Sequence, residues 1–183
     1  MINLLVLGDA HIPERAQEVP HPMKERIERL APVDVVISPG DYTSEDVVEW
    51  MASLGEKALL VTGNCDFGLP LPNRVTEELE GLKVVVDHGS GVHPRGDPDQ
   101  LASIAEEEGA DVIFTGHTHR PEFREHRGKL IVNPGSLTGV RSGGGASPGP
   151  SFMYGTIEDR KVWMKLYLLR EGEVETREFE AEL

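Results

Sequence analysis

Five short clusters in this chain carry side chains able to hold metal ions. They are Gly8-Asp9-Ala10-His11, Gly40-Asp41, Gly63-Asn64-Cys65-Asp66, Asp87-His88-Gly89 and Gly116-His117-Thr118-His119. Asp9, His11, Asp41, Asn64, His88, His117 and His119 together offer two carboxylates, one amide oxygen and four imidazoles. Mixed oxygen and nitrogen donors suit Mn, Fe, Co, Ni or Zn better than Ca or Mg. Seven donors exceed what one such ion takes up, and they suit two ions about 3.5–4 Å apart that share a bridging carboxylate. In an extended segment residues i and i+2 point to the same side, so Asp9 with His11, and His117 with His119, are expected to project as pairs. The neighbouring glycines permit tight turns and close backbone approach. Taken singly, each residue has an ordinary explanation: an Asp or His at a strand end is often a cap, and Asn64 alone more often makes a turn. The joint occurrence in one short chain carries the metal reading.

Scattered donors must be gathered by the fold, and the patterning shows how. Ile2–Leu7, Asp34–Ile37, Lys57–Val61, Leu82–Val86 and Val112–Thr115 read as short apolar strands, of the kind a sheet buried on both faces requires. Each is followed directly by one of the five clusters. Loops beyond the carboxyl ends of such strands line one crevice, so the donors can converge. Between the strands, Pro22–Leu30, Ser44–Leu54 and Asp97–Glu108 read as helices, the second capped by Ser44 and the third closed by Gly109. A loop rich in Gly, Pro and Asn is expected between Val61 and Leu82. After residue 120, Glu122–Arg127 with Lys129–Val132, and Phe152–Glu158 with Lys161–Leu168, read as two hairpins, and Glu173–Phe179 as a last strand. Ser142–Pro150, rich in Gly, Ser and Pro, reads as a long surface loop. A chain that begins as alternating α and β and ends as mostly β suits a layered α/β sandwich on two sheets.

The bulk numbers exclude several classes of function. The 183 residues, with 38% hydrophobic and 27% charged, fit one globular domain, 1–183. No apolar run is long enough to span a membrane, and Ile2–Leu7 begins as a buried strand rather than a signal peptide. Cys65 is the only cysteine, which suits a reducing cytoplasm. A net charge of −14 disfavours bulk nucleic acid as a partner, although it leaves a small phosphate ester open as substrate. The Glu-rich stretch Glu171–Glu182 reads as a solvated strand face.

The ordered set Asp9-x-His11, Gly40-Asp41, Gly63-Asn64-Cys65-Asp66, His88-Gly89 and Gly116-His117-Thr118-His119 resembles the calcineurin-like metallophosphoesterases. Asn133-Pro134-Gly135-Ser136, with the Gly/Ser-rich loop and Pro150-Ser151-Phe152, resembles their small prokaryotic phosphodiesterase branch. The resemblance runs from residue 2 to about residue 158. It implies a four-layer αββα sandwich of two mixed sheets flanked by helices. It implies that Asp9, His11 and His119 hold one divalent ion, that Asp41 bridges, and that Asn64, His88 and His117 complete the second site. Manganese is the first choice, with Ni, Fe, Co or Zn as alternatives. Asp9, Asp41, Asn64 and His117 are expected to serve catalysis as well. The reaction it implies is hydrolysis of a small phosphodiester by in-line attack of a metal-bridging hydroxide. A phosphomonoesterase on the same site, and a catalytically silent metal-binding scaffold, are the alternatives. A homodimer or small homo-oligomer is compatible with the β-rich end.

One position departs from the pattern. Many relatives carry a histidine directly after the metal-binding asparagine, where it can protonate the leaving group, and here Cys65 stands in its place. A cysteine beside two cations is a poor general acid. The reaction should then depend on a good leaving group or on another acid, for which His93 is the nearest candidate. Ser136 and Arg141 are candidates for phosphate contact. Trp50 and Trp163 are expected in the core or at a subunit contact.

Overall fold

A computed structural model describes residues 1–183, and in it the apolar runs become the inner strands of two stacked sheets. The first sheet contains β1 (Ile2–Val6), β2 (Val33–Ser38), β3 (Gly55–Leu60), β9 (Ser151–Glu158), β10 (Lys161–Arg170) and β11 (Glu173–Glu182). Its strand order is β11-β10-β9-β1-β2-β3. The second contains β4 (Arg74–Leu79), β5 (Leu82–Asp87), β6 (Val112–Phe114), β7 (Pro121–His126) and β8 (Lys129–Pro134), in the order β4-β5-β6-β8-β7. Parallel pairing joins β1, β2 and β3 in one sheet and β5, β6 and β8 in the other. The remaining pairs are antiparallel, so both sheets are mixed.

Period-two alternation sorts the side chains into layers. Leu4 and Val6 point into the space between the sheets and meet Val84, Val86, Phe114 and Val132. Leu5 and Leu7 point the other way, against helix α1 (His21–Leu30) through Met23 and Ile27 and helix α2 (Glu45–Ala52) through Val47 and Met51. The second sheet turns Val85, Ile113 and Ile131 toward Leu101 and Ala105 of helix α3 (Pro98–Glu107). The layers are therefore helix, sheet, sheet, helix, as the sequence implied. No helix is long and apolar enough to cross a membrane.

The structure departs from the sequence reading at two points of local structure. The segment expected as loop contains β4, a strand rich in polar residues (Arg74, Thr76, Glu77, Glu78) that no apolar period marks. It lies at the sheet edge, pairs only with β5, and sets only Leu79 and part of Val75 against the core. Ser44 does occupy the N-cap of α2, but its side chain makes no capping bond. Asp97 does cap α3, accepting from the Gln100 amide at 3.1 Å.

Candidate metal centre

The carboxyl ends of β1, β2, β3, β5 and β6 meet at one edge of the sandwich, and their loops bring the sequence-derived residues together. Asp9, His11, Asp41, His88, His117 and His119 are all buried there, none more than 6% exposed. The loops reach this arrangement by a route that extended alternation does not describe. Asp9, His11, Asp41, His117 and His119 all have positive φ, between 47° and 72°. Left-handed backbone in non-glycine residues is costly and is sustained only where the surroundings fix it. The expectation of i and i+2 pairs on extended backbone is thus corrected: sharp turns, not strand alternation, aim these side chains.

Several contacts fix those turns. Backbone amides of Asp9 and His11 donate to the carbonyls of Gly40 and Asp41, both at 3.0 Å, so the first two loops are stitched together. Asp66 accepts from the amides of Asp41 at 2.7 Å, Gly63 at 2.8 Å and Thr43 at 2.9 Å, which ties the loop after β2 to the loop after β3. The His117 amide donates to Asp9 Oδ2 at 3.1 Å. Gly116 must lack a side chain, because a Cβ there would lie 2.8 Å from the same Oδ2 atom. The buried Ser136 hydroxyl donates to the Asp9 carbonyl at 2.7 Å and accepts from the Gly139 amide at 3.0 Å. Ser136 is therefore a support beneath Asp9, and its expected contact with phosphate is not available to it.

Second partners fix the imidazole tautomers. His88 Nδ1 lies 2.7 Å from the Pro39 carbonyl and His119 Nδ1 lies 2.7 Å from the Val140 carbonyl. A carbonyl only accepts, so both Nδ1 atoms carry hydrogen and both Nε2 atoms are left for the centre. There His119 Nε2 stands 3.4 Å from Asp9 Oδ1 and 3.3 Å from His11 Nε2. Asp41 Oδ2 stands 3.4 Å from His11 Nε2 and 3.2 Å from His88 Nε2, between the two sides of the cluster. Two sets of donors, Asp9-His11-His119 and Asp9-Asp41-His88, each fall within 4.8 Å of one another. Asp9 Oδ1 is buried without a hydrogen-bond partner. A buried carboxylate oxygen facing three imidazole nitrogens with no donor of its own fits a divalent cation.

Electrostatics agree with that placement. Burial opposes charging His88, but the Asp41 carboxylate that accepts from it and the charges of Asp9 and Asp41 outweigh it and lift the imidazole to about 9. Burial likewise opposes ionising Asp41, yet His88 and the Cys65 amide bring its carboxyl down to about 2. His117 is held down at about 4 by burial, the neighbouring His88 charge and Arg95. It is neutral near pH 7 and stands ready as a ligand rather than as a proton donor.

Three residues sit differently from the rest. His117 Nδ1 lies 3.2 Å from His88 Nε2 and no carboxylate approaches its ring, so it joins the cluster through His88. Asn64 is exposed at the rim, its amide nitrogen 3.6 Å from Cys65 Sγ. It lines a polar cleft of about 600 Å³ together with His88, Asp87, Arg74 and Glu107. Cys65 comes closer than the sequence suggested, within 4.8 Å of His11 and Asp41 as a third donor set. Burial and the charges of Asp41 and Glu14 push its thiol up to about 11. His93 lies exposed on a loop, with its backbone amide donating to Gln100 at 3.1 Å. Trp50 packs against the α1/α2 core and Trp163 meets Tyr154 edge-on at 6.3 Å. Asp66 was the one organiser the sequence reading undervalued, and its place in Asn64-Cys65-Asp66 was the available signal.

Comparison with known proteins points the same way. The model of the calcineurin-like phosphoesterase superfamily domain matches residues 2–160. A probable metallophosphoesterase of Methanocaldococcus jannaschii is 36% identical over 155 residues, which are 85% of this chain and 76% of that protein. Another from Methanothermobacter thermautotrophicus is 38% identical over 135 residues, covering 73% of this chain and 76% of its own. Among solved structures, vacuolar protein sorting 29 from Cryptosporidium parvum superposes with a TM-score of 0.92 at 29% identity, covering 100% of this chain and 98% of that one. Wild-type Vps29 of Entamoeba histolytica, solved in complex with zinc, gives 0.90 at 30% identity over 98% of this chain and 99% of that one.

Proposed function

The chain belongs to the calcineurin-like phosphoesterase superfamily, and on that premise we propose that it is a dinuclear phosphodiesterase acting on a small phosphodiester. The observation that carries the reading is the pair of donor sets sharing Asp9, with its Oδ1 buried and unpartnered between them. Asp9, His11 and His119 would hold one divalent ion. Asp41, reaching His11 on one side and His88 on the other, would bridge to a second ion completed by His88, His117 and Asn64. Manganese is our first choice for both. Such ions, when bound, lower the pKa of water and neutralise charge on phosphoryl oxygens.

The chain's own residues do the rest. Pro39 and Val140 carbonyls hold His88 and His119 in the tautomer that donates Nε2 electrons. Asp66 and the Cys65 amide hold Asp41 in place. Asn64, exposed at the mouth of the cleft, would have to turn inward to serve as a ligand. With His88, His117 and His119 engaged as metal ligands and Cys65 beside two cations, no residue near the cluster would offer a proton at neutral pH. The enzyme should therefore favour substrates whose leaving group needs no protonation. We place it in the cytoplasm, on the strength of its single half-buried thiol.

Hydrolysis of bis-p-nitrophenyl phosphate is the direct test, by chelated and then Mn-reloaded protein beside an Asn64→Ala/His88→Ala variant. Nitrophenol release by the reloaded wild type alone supports the reading. Release from p-nitrophenyl phosphate but not from the diester makes it a monoesterase. A second reading rests on the Vps29 likeness: a protein named for vacuolar sorting shares the whole fold. Full metal occupancy with silence on both substrates would move this chain to a metal-binding scaffold.

A further inference from the structure

The cluster's surroundings are electrically lopsided, although the chain as a whole carries −14. On the side of the Gly/Ser-rich loop, the loop itself fixes both a metal donor and an arginine. The Val140 carbonyl accepts from His119 Nδ1 at 2.7 Å, and the next carbonyl, that of Arg141, accepts from Arg15 Nη1 at 2.8 Å. Two residues further on, Arg95 lies across Gly143 and Gly144, so closely that a Cβ on Gly144 would stand 3.0 Å from its Cδ. The glycines thus act as a bed for the Arg95 side chain. Arg95 is thereby held on the same loop whose Val140 carbonyl orients His119. Arg15 is shared with Glu14 at 3.2 Å, but Arg95 and Arg141 are exposed and have no carboxylate partner. A cavity of about 580 Å³ opens here, lined by Arg15, Arg141 and residues 139–143 with no acidic side chain. The cleft on the other flank, in contrast, holds Asp87 and Glu107, and its Arg74 is bound to Asp87 at 2.8 Å and to Glu108 at 3.0 Å.

Unpaired arginines, one of them bedded on glycines, beside an acid-free cavity are suited to bidentate recognition of a phosphate or carboxylate. Resting on the phosphoesterase reading, we infer that the substrate carries a second anionic group besides the phosphate at the metal centre, and that Arg95 and Arg141 receive it. The substrate would then lie with its charged end over the glycine loop and its neutral, hydroxyl-bearing part toward the cleft of Asn64 and His88. This orientation follows from charge alone, because an anion placed in the other cleft would face Asp87 and Glu107.

Calorimetric titration of the Mn-loaded protein with propylphosphonate and with propane-1,3-bisphosphonate tests the inference, since neither can be hydrolysed. The bisphosphonate should bind about tenfold more tightly or better, the gain of one charge-assisted contact. In an Arg95→Gln/Arg141→Gln variant the ratio should fall to about one, whereas Arg29→Gln, on the exposed face of α1 and paired with Glu25, should keep it. Equal binding of the two anions by the wild type, or a preference that survives the double substitution, overturns the inference and leaves the phosphoesterase reading standing. Failure of either anion to bind with both ions in place overturns the two together.

Discussion

At the residue scale, the most consequential fact is that the centre stores protons which a metal must displace. Before a metal binds, His88 lies far above its ordinary value, at about 9, and His119 is also raised, the facing Asp9 carboxylate outweighing its burial. A group whose pKa is raised on folding stabilises the fold fully below its unfolded value and loses that contribution as pH climbs through the folded value. For His88 the window runs from about 6.5 to about 9. Asp41 works in the opposite direction: its contribution is present above 3.8 and is lost as pH falls toward about 2. Chelated protein should therefore lose on the order of 2 kcal/mol of stability between pH 6.5 and pH 9, read from urea unfolding. Metal coordination needs neutral imidazole, so loading at pH 7.5 should release about one proton from His88. Titration in two buffers of different ionisation heat measures that proton directly. A buffer-independent heat would mean that His88 is neutral before the metal arrives.

At the scale of elements, the centre depends on how loops are tied to each other rather than on any one strand. Asp66 is the main tie, since its carboxylate accepts three backbone amides from the loops after β2 and β3. Asp66→Ala should cost about 2 kcal/mol, because three donors lose a charged acceptor at once. It should also weaken metal uptake more than a surface change of equal cost, since Asp41 is the residue released. Unfolding and metal titration of the same variant separate the two effects, and unchanged metal affinity would show that Asp41 is held by its other contacts. The five strand ends were legible in the sequence because apolar runs and chemically distinctive residues alternate there without interruption. The layers were legible for the same reason, through the period-two sorting seen in Leu4, Leu5, Val6 and Leu7. The left-handed turns at Asp9 and His117 were not, because Asp and His tolerate positive φ without requiring it, and tertiary hydrogen bonds decide it here. Edge strand β4 was missed because its core-facing Val75 and Leu79 are separated by Glu77, which breaks the apolar period. The inward approach of Cys65 to Asp41 likewise follows from the loop's closure, which spacing alone does not encode.

For the whole molecule, the charge of −14 has a structural use at the open side of the sandwich. Strand β11 closes the first sheet with no neighbour beyond it, and the free outer edge of a ten-residue strand is a template for pairing with another copy. Glu178, Glu180 and Glu182 stand along one face of this edge, exposed to water, opposite Lys165, Trp163 and Lys161 of β10. Two copies meeting edge to edge would bring like charges together at every second residue, which opposes pairing. A homo-oligomer of the kind the β-rich end allows would need a seam other than this edge, or screening of this repulsion. Glu178→Gln/Glu180→Gln/Glu182→Gln should associate at concentrations where the wild type elutes as a monomer, and high salt should push the wild type the same way. Light scattering coupled to size exclusion reads both, and identical elution of the two proteins at low salt would show that the acidic row does not guard this edge. The acidic row and the arginines beside the glycine loop are separate charge features of one strongly acidic chain. Neutralising the β11 edge should leave the anion preference of Arg95 and Arg141 unchanged even as it changes self-association, because the two depend on charges at different ends of the strands.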